Sequence, residues 1–176
     1  MFAGDYGFWR NLIPEAELIP ELTEESFDER KEMDGVFVTP PERVIAEGLE
    51  DGGISSILDS VSVLVSERDL ESLDWKRLED YAVKCDVTSE LGSILEILSM
   101  GLRSEYGVDL IPKDVIHRLL ARVSRVGRMR RYPKTFLRKD ETYYDIGRKW
   151  RLRLYLPSYT VRKPLEDLAP LVLGVV

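Results

Sequence analysis

The residues most able to do chemistry in this chain are cations gathered in one short stretch. Residues 127–139 read GRMRRYPKTFLRK and contain six Lys and Arg side chains with no acid among them. The whole chain has a formal net charge of −7, so this basic run is an exception within an acidic protein. Clustered cations bind phosphate groups and attract acidic protein surfaces. The sequence therefore predicts a surface that faces a polyanion or an acidic partner.

Charge is divided unevenly between the two parts of the chain. Residues 1–100 hold 8 Lys and Arg against 24 Asp and Glu, a net charge of −16. Residues 101–176 hold 17 against 8, a net charge of +9. Such asymmetry is typical of a chain whose basic part faces an anionic partner. It is equally expected if the basic part neutralises the acidic part of the same molecule, and the sequence leaves both explanations open.

Two predicted elements flank the basic run and add to it. A helix predicted over 112–126 carries three arginines at spacings of four and three, which places them on one face. A strand predicted over 149–156 alternates basic and apolar residues, so its cations point to one side. The candidate nucleic-acid or partner contacts are the cations of these elements and of the run: Arg118, Arg122, Arg125, Arg128, Arg130, Arg131, Lys134, Arg138, Lys139, Lys149, Arg151 and Arg153.

Aromatic side chains interleave with these cations. They are Tyr132, Phe136, Tyr143, Tyr144 and Tyr155. Cations with aromatic neighbours suit phosphate contact combined with base stacking. Aromatic residues are also common in strands, so a structural role in a small sheet is the alternative explanation.

Residues suited to catalysis are few. The only cysteine is Cys85 and the only histidine is His117, which excludes an intrachain disulfide, zinc fingers and H-E-x-x-H sites. Cys85 and His117 lack the local signature of a nucleophile and its base, and a lone cysteine is usually a small buried hydrophobe. Gly92-Ser93 resembles the start of a nucleotidyltransferase motif, but no D-x-D follows it. We predict no catalytic residue.

Cofactor motifs are also missing from the sequence. It contains neither G-x-x-x-x-G-K-S/T nor G-x-G-x-x-G, the loops that hold nucleotide phosphates. Acidic residues are abundant, but their spacing indicates no metal site. We predict no cofactor and no metal, and keep a Mg²⁺-dependent enzyme as a less favoured hypothesis.

Composition indicates a soluble globular protein. Hydrophobic residues make up 44% of the chain, enough for a core, and no apolar run reaches the ~18–20 residues that a membrane span needs. The N-terminus lacks the features of a signal peptide, so a cytoplasmic location without membrane contact is predicted. Glutamine is absent and Asn11 is the only asparagine, which together with many charged residues is typical of thermophiles, archaeal or bacterial.

Apolar spacing predicts a mainly helical α+β domain, with four to five helices followed by a small antiparallel β-sheet. The predicted helices cover 39–52, 54–66, 69–84, 88–102 and 112–126. Thr39 is the expected N-cap of the first helix, and Glu42 would complete its capping box. The β-branched residues within 54–66 would also suit a strand, although helical spacing is favoured.

Strands are predicted before and after the helices. A short strand at 36–39 follows a turn, and the strand at 149–156 is expected to pair with one within 130–138. Trp150, Leu152, Leu154 and Leu156 should point into the core. The predicted organisation is an acidic N-terminal segment (1–35), a core domain (36–160) and an apolar C-terminal tail (161–176) packed on that domain.

Three stretches in order resemble the family of AbiEi-type antitoxins. VFVTPPERVIAEGLEDGGI (36–54) is similar to the family's segment after its winged helix. LDWKRLEDYAVKCDVTSELGSILEIL (73–98) is similar to its L-D-W-x-x-L and R-L-G-Y-L-L-E-L-L segments, with Glu90 and Ser93 in place of Arg and Tyr. YYDIGRKWRLRL (143–154) is similar to its closing D-x-x-W-x-L strand.

The resemblance covers the C-terminal antitoxin domain without the winged helix. It implies a non-catalytic, antitoxin-like regulatory protein of a type IV toxin–antitoxin (abortive infection) operon. Its implied partner is a nucleotidyltransferase-like toxin from the same operon, with DNA as a possible second partner of the basic surface. The alternative is a stand-alone nucleic-acid-binding protein that uses the basic region 113–153.

Overall fold

The computed structural model describes residues 31–33, 36–66, 73–124, 127–134 and 141–172. The chain divides into two compact units, Met1–Thr39 and Pro40–Val176. In the first unit, strands β1 (Lys31–Met33) and β2 (Val36–Val38) pair antiparallel. The strand predicted at 36–39 is therefore confirmed, whereas most of the predicted acidic segment lies outside the described residues.

All five predicted helices are present in the second unit, which confirms a mainly helical domain. They are α1 (Pro41–Asp51), α2 (Ile54–Ser66), α3 (Trp75–Lys84), α4 (Thr88–Tyr106) and α5 (Lys113–Arg122). The ambiguous stretch after Gly53 is thus helical. Helix α4 runs four residues beyond its predicted end and stops at Gly107, whose φ of +70° is the left-handed conformation that glycine adopts without strain.

The predicted capping box at the start of α1 is wrong. The N-cap is Pro40, which has no side-chain cap. Glu42 is buried, and its Oε1 instead accepts a hydrogen bond of 3.0 Å from the backbone N–H of Asp74. Asp74 in turn caps α3, because its side chain accepts from the N–H of Arg77 at 3.0 Å. Glu42 therefore joins two helices and does not cap its own.

Two further helices were not predicted, so four to five helices is an underestimate for the described residues. They are α6 (Tyr144–Lys149) and α7 (Tyr159–Val172). Helix α7 begins just before the predicted tail of 161–176, Val161 and Leu165 are buried, and the helix packs on α2 and α4. None of the described helices is both long and apolar enough to cross a membrane.

The predicted antiparallel pairing of the small sheet is wrong. Strands β3 (Arg130–Tyr132) and β4 (Leu152–Leu154) are parallel, with Arg131 opposite Arg153. Helix α6 lies between them in the chain, and parallel strands require such a crossover where antiparallel strands need only a turn. Strand β4 is also shorter than predicted because Arg151, at φ +62°, interrupts the extended backbone.

The inward face predicted for this sheet is confirmed. Trp150, Leu152, Leu154 and Leu156 are all buried. Trp150 lies against Gly92 of α4, where a β-carbon would overlap its six-membered ring. This close approach seats the sheet on the longest described helix and leaves the other side of β3 and β4 to solvent.

Candidate nucleic-acid interface

The arginines of α5 neutralise a buried carboxylate of α3. Arg118 donates from Nε and Nη2 to Oε1 of Glu79 at 2.8 and 2.6 Å, and also binds Asp114. Glu79 is only 2% exposed, and Arg122 lies 3.9 Å from its second oxygen. Hydrogen bonds with Glu79 and then Asp114 raise the pKa of Arg118. These arginines therefore hold two helices together, while Arg125 lies outside the described residues.

Arg130 has a similar role at the start of β3. Its Nη1 lies 2.8 Å from Asp86 Oδ2, and its Nη2 lies 3.1 Å from Glu90 Oε2. Glu90 is 5% exposed, and burial raises the pKa of its carboxyl, an effect that the charge of Arg130 opposes. This cation therefore compensates a second buried acid from the acidic part of the chain.

Two predicted lysine contacts also bind within the molecule. Lys134 donates from Nζ to the carbonyl of Glu50 at the C-terminal end of α1, where a helix favours positive charge. Lys149 lies 2.8 Å from Glu96 of α4. Lys149, like Arg118 and Arg130, therefore pairs with a carboxylate of the acidic part of the chain, as the intramolecular explanation of the charge asymmetry expects, whereas Lys134 binds a backbone carbonyl.

The outer face of β3 and β4 presents two exposed arginines that lie next to each other. Arg131 and Arg153 are direct neighbours across the parallel pair, and both are exposed. The guanidinium of Arg131 lies 4.7 Å from the ring centroid of Tyr155. Arg153 is 61% exposed, and its Nε lies 3.6 Å from Glu141 Oε1. Like charges opposite each other on a sheet repel, and the nearby Glu141 carboxylate lessens that repulsion.

Two further arginines lie where the parallel strands begin. Arg128 precedes β3 and is exposed, and Arg151 precedes β4 and donates to the carbonyl of Gly127. Among the described residues neither has a carboxylate partner. We define the basic face as Arg128, Arg131, Arg151, Arg153 and Tyr155. Arg138 and Lys139, which were also predicted as contacts, lie outside the described residues.

The interleaved aromatic residues separate into core and surface. Tyr132 is fully buried, which raises its pKa, and its hydroxyl donates to the carbonyl of Leu49. Burial also raises the pKa of Tyr143. Tyr144 is 56% exposed and has the guanidinium of Arg148 5.6 Å from its ring centroid.

Arg148 was missing from the predicted contacts. Its partnership with Tyr144 depends on i, i+4 spacing within α6, a helix that was not predicted. Phe136 lies outside the described residues. Tyr144 and Tyr155 are therefore the aromatic candidates for base stacking.

Cys85 and Ser93, which were considered for catalysis, have surroundings typical of structural residues. Burial, and then the nearby Glu50, raise the pKa of the Cys85 thiol to about 11, so the thiol is protonated at neutral pH. Ser93 is buried in α4, where its Oγ donates to the carbonyl of Glu90 at 2.8 Å. Within the described ranges, no group of three or more His, Cys, Asp and Glu side chains is placed to hold a metal ion.

The three segments that resemble the antitoxin family cover β2 and α1, α3 with α4, and α6 with β4. Glu42 links the first to the second through the N–H of Asp74, and Gly92 meets Trp150 between the second and third. Comparison of the chain with models of protein families, with characterised proteins and with solved structures found no match. Function is therefore inferred from the basic face and the resemblance.

Proposed function

We propose that this chain is a non-catalytic regulatory protein that binds nucleic acid through its basic face. The observation that carries this proposal is the pair of exposed arginines opposite each other on β3 and β4, with Tyr155 beside Arg131. Arginines supply phosphate contacts, and an adjacent aromatic ring supplies a stacking surface. A role at DNA would place the protein in the cytoplasm.

The charge distribution supports this face as the contact. Arg118 and Arg130 act against carboxylates of the same molecule, so their positive charge is cancelled locally. The chain as a whole has a formal net charge of −7, so the clustered exposed arginines of the basic face are an exception within an acidic protein. Screening confines the attraction to about 8 Å at physiological salt. Binding should therefore be oriented and strongly dependent on salt.

Nucleic-acid binding should show a salt slope set by the basic face. Fluorescence anisotropy with labelled duplex, across a salt series, should give log K falling linearly with a slope of about −3 to −4, because four arginines each neutralise roughly one phosphate. Arg131→Ala and Arg153→Ala should each weaken binding and reduce the slope by about 1. The matched control is Arg162→Ala on α7, an exposed arginine paired with Glu166.

The choice of duplex separates the possible outcomes. Preferential binding to the chain's own upstream DNA over a scrambled duplex would indicate transcriptional regulation. Equal binding to both with a steep slope would reduce the contact to phosphate attraction. Failure of the unaltered protein to bind either duplex at low salt would overturn the proposal.

A second candidate function is neutralisation of a nucleotidyltransferase-like toxin. It is supported by the three ordered segments and by the contacts that bring them into one core. We expect co-expression with the protein encoded beside this chain to relieve that protein's toxicity. Unchanged toxicity, with both proteins expressed, would contradict this role. A variant with Arg131→Glu and Arg153→Glu would test whether the basic face supplies the contact.

A further inference from the structure

Glu141 is held beside the basic face by its neighbour in the chain. The backbone N–H of Thr142 donates to the carbonyl of Leu154 at 2.6 Å, and its Oγ1 donates to the carbonyl of Leu156 at 3.0 Å. These bonds attach residues 141–142 along β4. The carboxylate of Glu141 therefore reaches the outer face of β4 from a fixed point.

One oxygen of this carboxylate lies where two donors converge. Oε1 of Glu141 is 3.6 Å from Arg153 Nε and 3.4 Å from the Tyr155 hydroxyl. A charge-assisted N–H···O hydrogen bond normally spans about 2.7–2.9 Å. Both contacts are longer than this, so the oxygen marks a position that the two donors share without a short bond to either.

We propose that this position is a phosphate subsite of the basic face and that Glu141 is a resident substitute for the phosphate. The inference rests on the proposed nucleic-acid binding. A phosphodiester is not tied to the backbone at Thr142, so one of its oxygens can approach Arg153 and Tyr155 to normal hydrogen-bonding distance. The guanidinium of Arg131, 4.7 Å from the ring centroid of Tyr155, adds positive charge near this position. When nucleic acid binds, a phosphate oxygen therefore replaces the Glu141 carboxylate at Arg153 and Tyr155.

The competing interpretation is that Glu141 neutralises Arg153 permanently and that phosphates bind elsewhere on the face. The two interpretations differ in the effect that removal of the Glu141 carboxylate has on the affinity for nucleic acid. If Glu141 occupies the subsite, its removal frees both donors and tightens nucleic-acid binding. If it is a lasting ion-pair partner, its removal leaves phosphate binding unchanged.

Glu141→Gln keeps the side-chain shape and removes the charge. Anisotropy with a labelled single strand and a labelled duplex at low salt should give a Kd about three- to tenfold lower than that of the unaltered protein. The salt slope should stay close to that of the unaltered protein, because the same phosphate contacts form and only the displacement of the Glu141 carboxylate is avoided. Glu166→Gln on α7, which also removes a carboxylate paired with an arginine, should leave the Kd unchanged.

A second variant tests whether Glu141 acts through Arg153. In an Arg153→Ala background, Glu141→Gln should produce little or no gain, since the main donor is gone. A gain of equal size there would indicate a general charge effect and overturn the subsite. An unchanged Kd for Glu141→Gln, while Arg131→Ala and Arg153→Ala weaken binding, would also overturn it but leave the proposed function intact. If none of the proteins binds nucleic acid, the unaltered one included, both the subsite and the proposed function are overturned.

Discussion

Gly92→Ala should destabilise the protein by about 3 kcal/mol, although alanine is the better helix former. At an exposed helical position the same change stabilises by about 1 kcal/mol. Here the added β-carbon would overlap the six-membered ring of Trp150, which is fully buried. The ring has little freedom to move, because its Nε1 donates to Glu96 Oε2 at 2.7 Å. Urea unfolding followed by circular dichroism measures the effect.

Two further variants test whether the destabilisation by Gly92→Ala arises from overlap with the Trp150 ring. Met100→Ala changes an exposed residue of the same helix and should alter the free energy of unfolding by no more than about 0.5 kcal/mol. Trp150→Phe removes the ring that the new methyl group meets. The double variant Gly92→Ala with Trp150→Phe should be less destabilised than the sum of the single changes by over ~1 kcal/mol. Additive effects would contradict the close packing of these two residues.

Arg130→Ala should cost on the order of 2 kcal/mol at pH 7 and much less near pH 4. The cause is Glu90, whose carboxyl is buried and relies on Arg130 for its opposite charge. Burial already raises the pKa of Glu90, and loss of the arginine would raise it further. In the unfolded chain the pKa returns to about 4.3.

The pH dependence of the stability of Arg130→Ala follows from the protonation of Glu90 in the folded and unfolded states. Below about pH 4.3 the carboxyl is protonated in both states, and the loss of Arg130 leaves no unpaired buried charge. As pH rises, the unfolded chain ionises first, so the variant loses stability until the folded-state pKa is passed. The measurement is the difference in unfolding free energy between variant and unaltered protein at pH 4 and pH 7.

Glu90→Gln in the Arg130→Ala background provides the control. Neither this double variant nor Glu90→Gln alone has a buried carboxyl at position 90, so the difference in unfolding free energy between these two proteins should vary little between pH 4 and pH 7. Asp86, the other partner of Arg130, is largely exposed and should contribute little. An equal loss for Arg130→Ala at pH 4 and pH 7 would contradict a role in compensating Glu90.

Much of the local structure was determined by the sequence alone. Helices α1 to α5 follow from apolar residues repeating at three and four positions, a signal that lies within each element. The inward face from Trp150 to Leu156 follows from alternation in the same way. The density of cations in 127–139 was also visible, and it places candidate contacts at β3 and near it.

The tertiary structure alone decided which cations pair with distant carboxylates of the same chain. Arg118 binds Glu79, Arg130 binds Glu90 and Lys149 binds Glu96, and each pair lies 39 or more residues apart in the chain. Local spacing carries no information about such distant partners, so these pairings could not be predicted from the sequence. The parallel register that places Arg131 opposite Arg153 was hidden for the same reason, since it depends on how α6 returns the chain to the sheet.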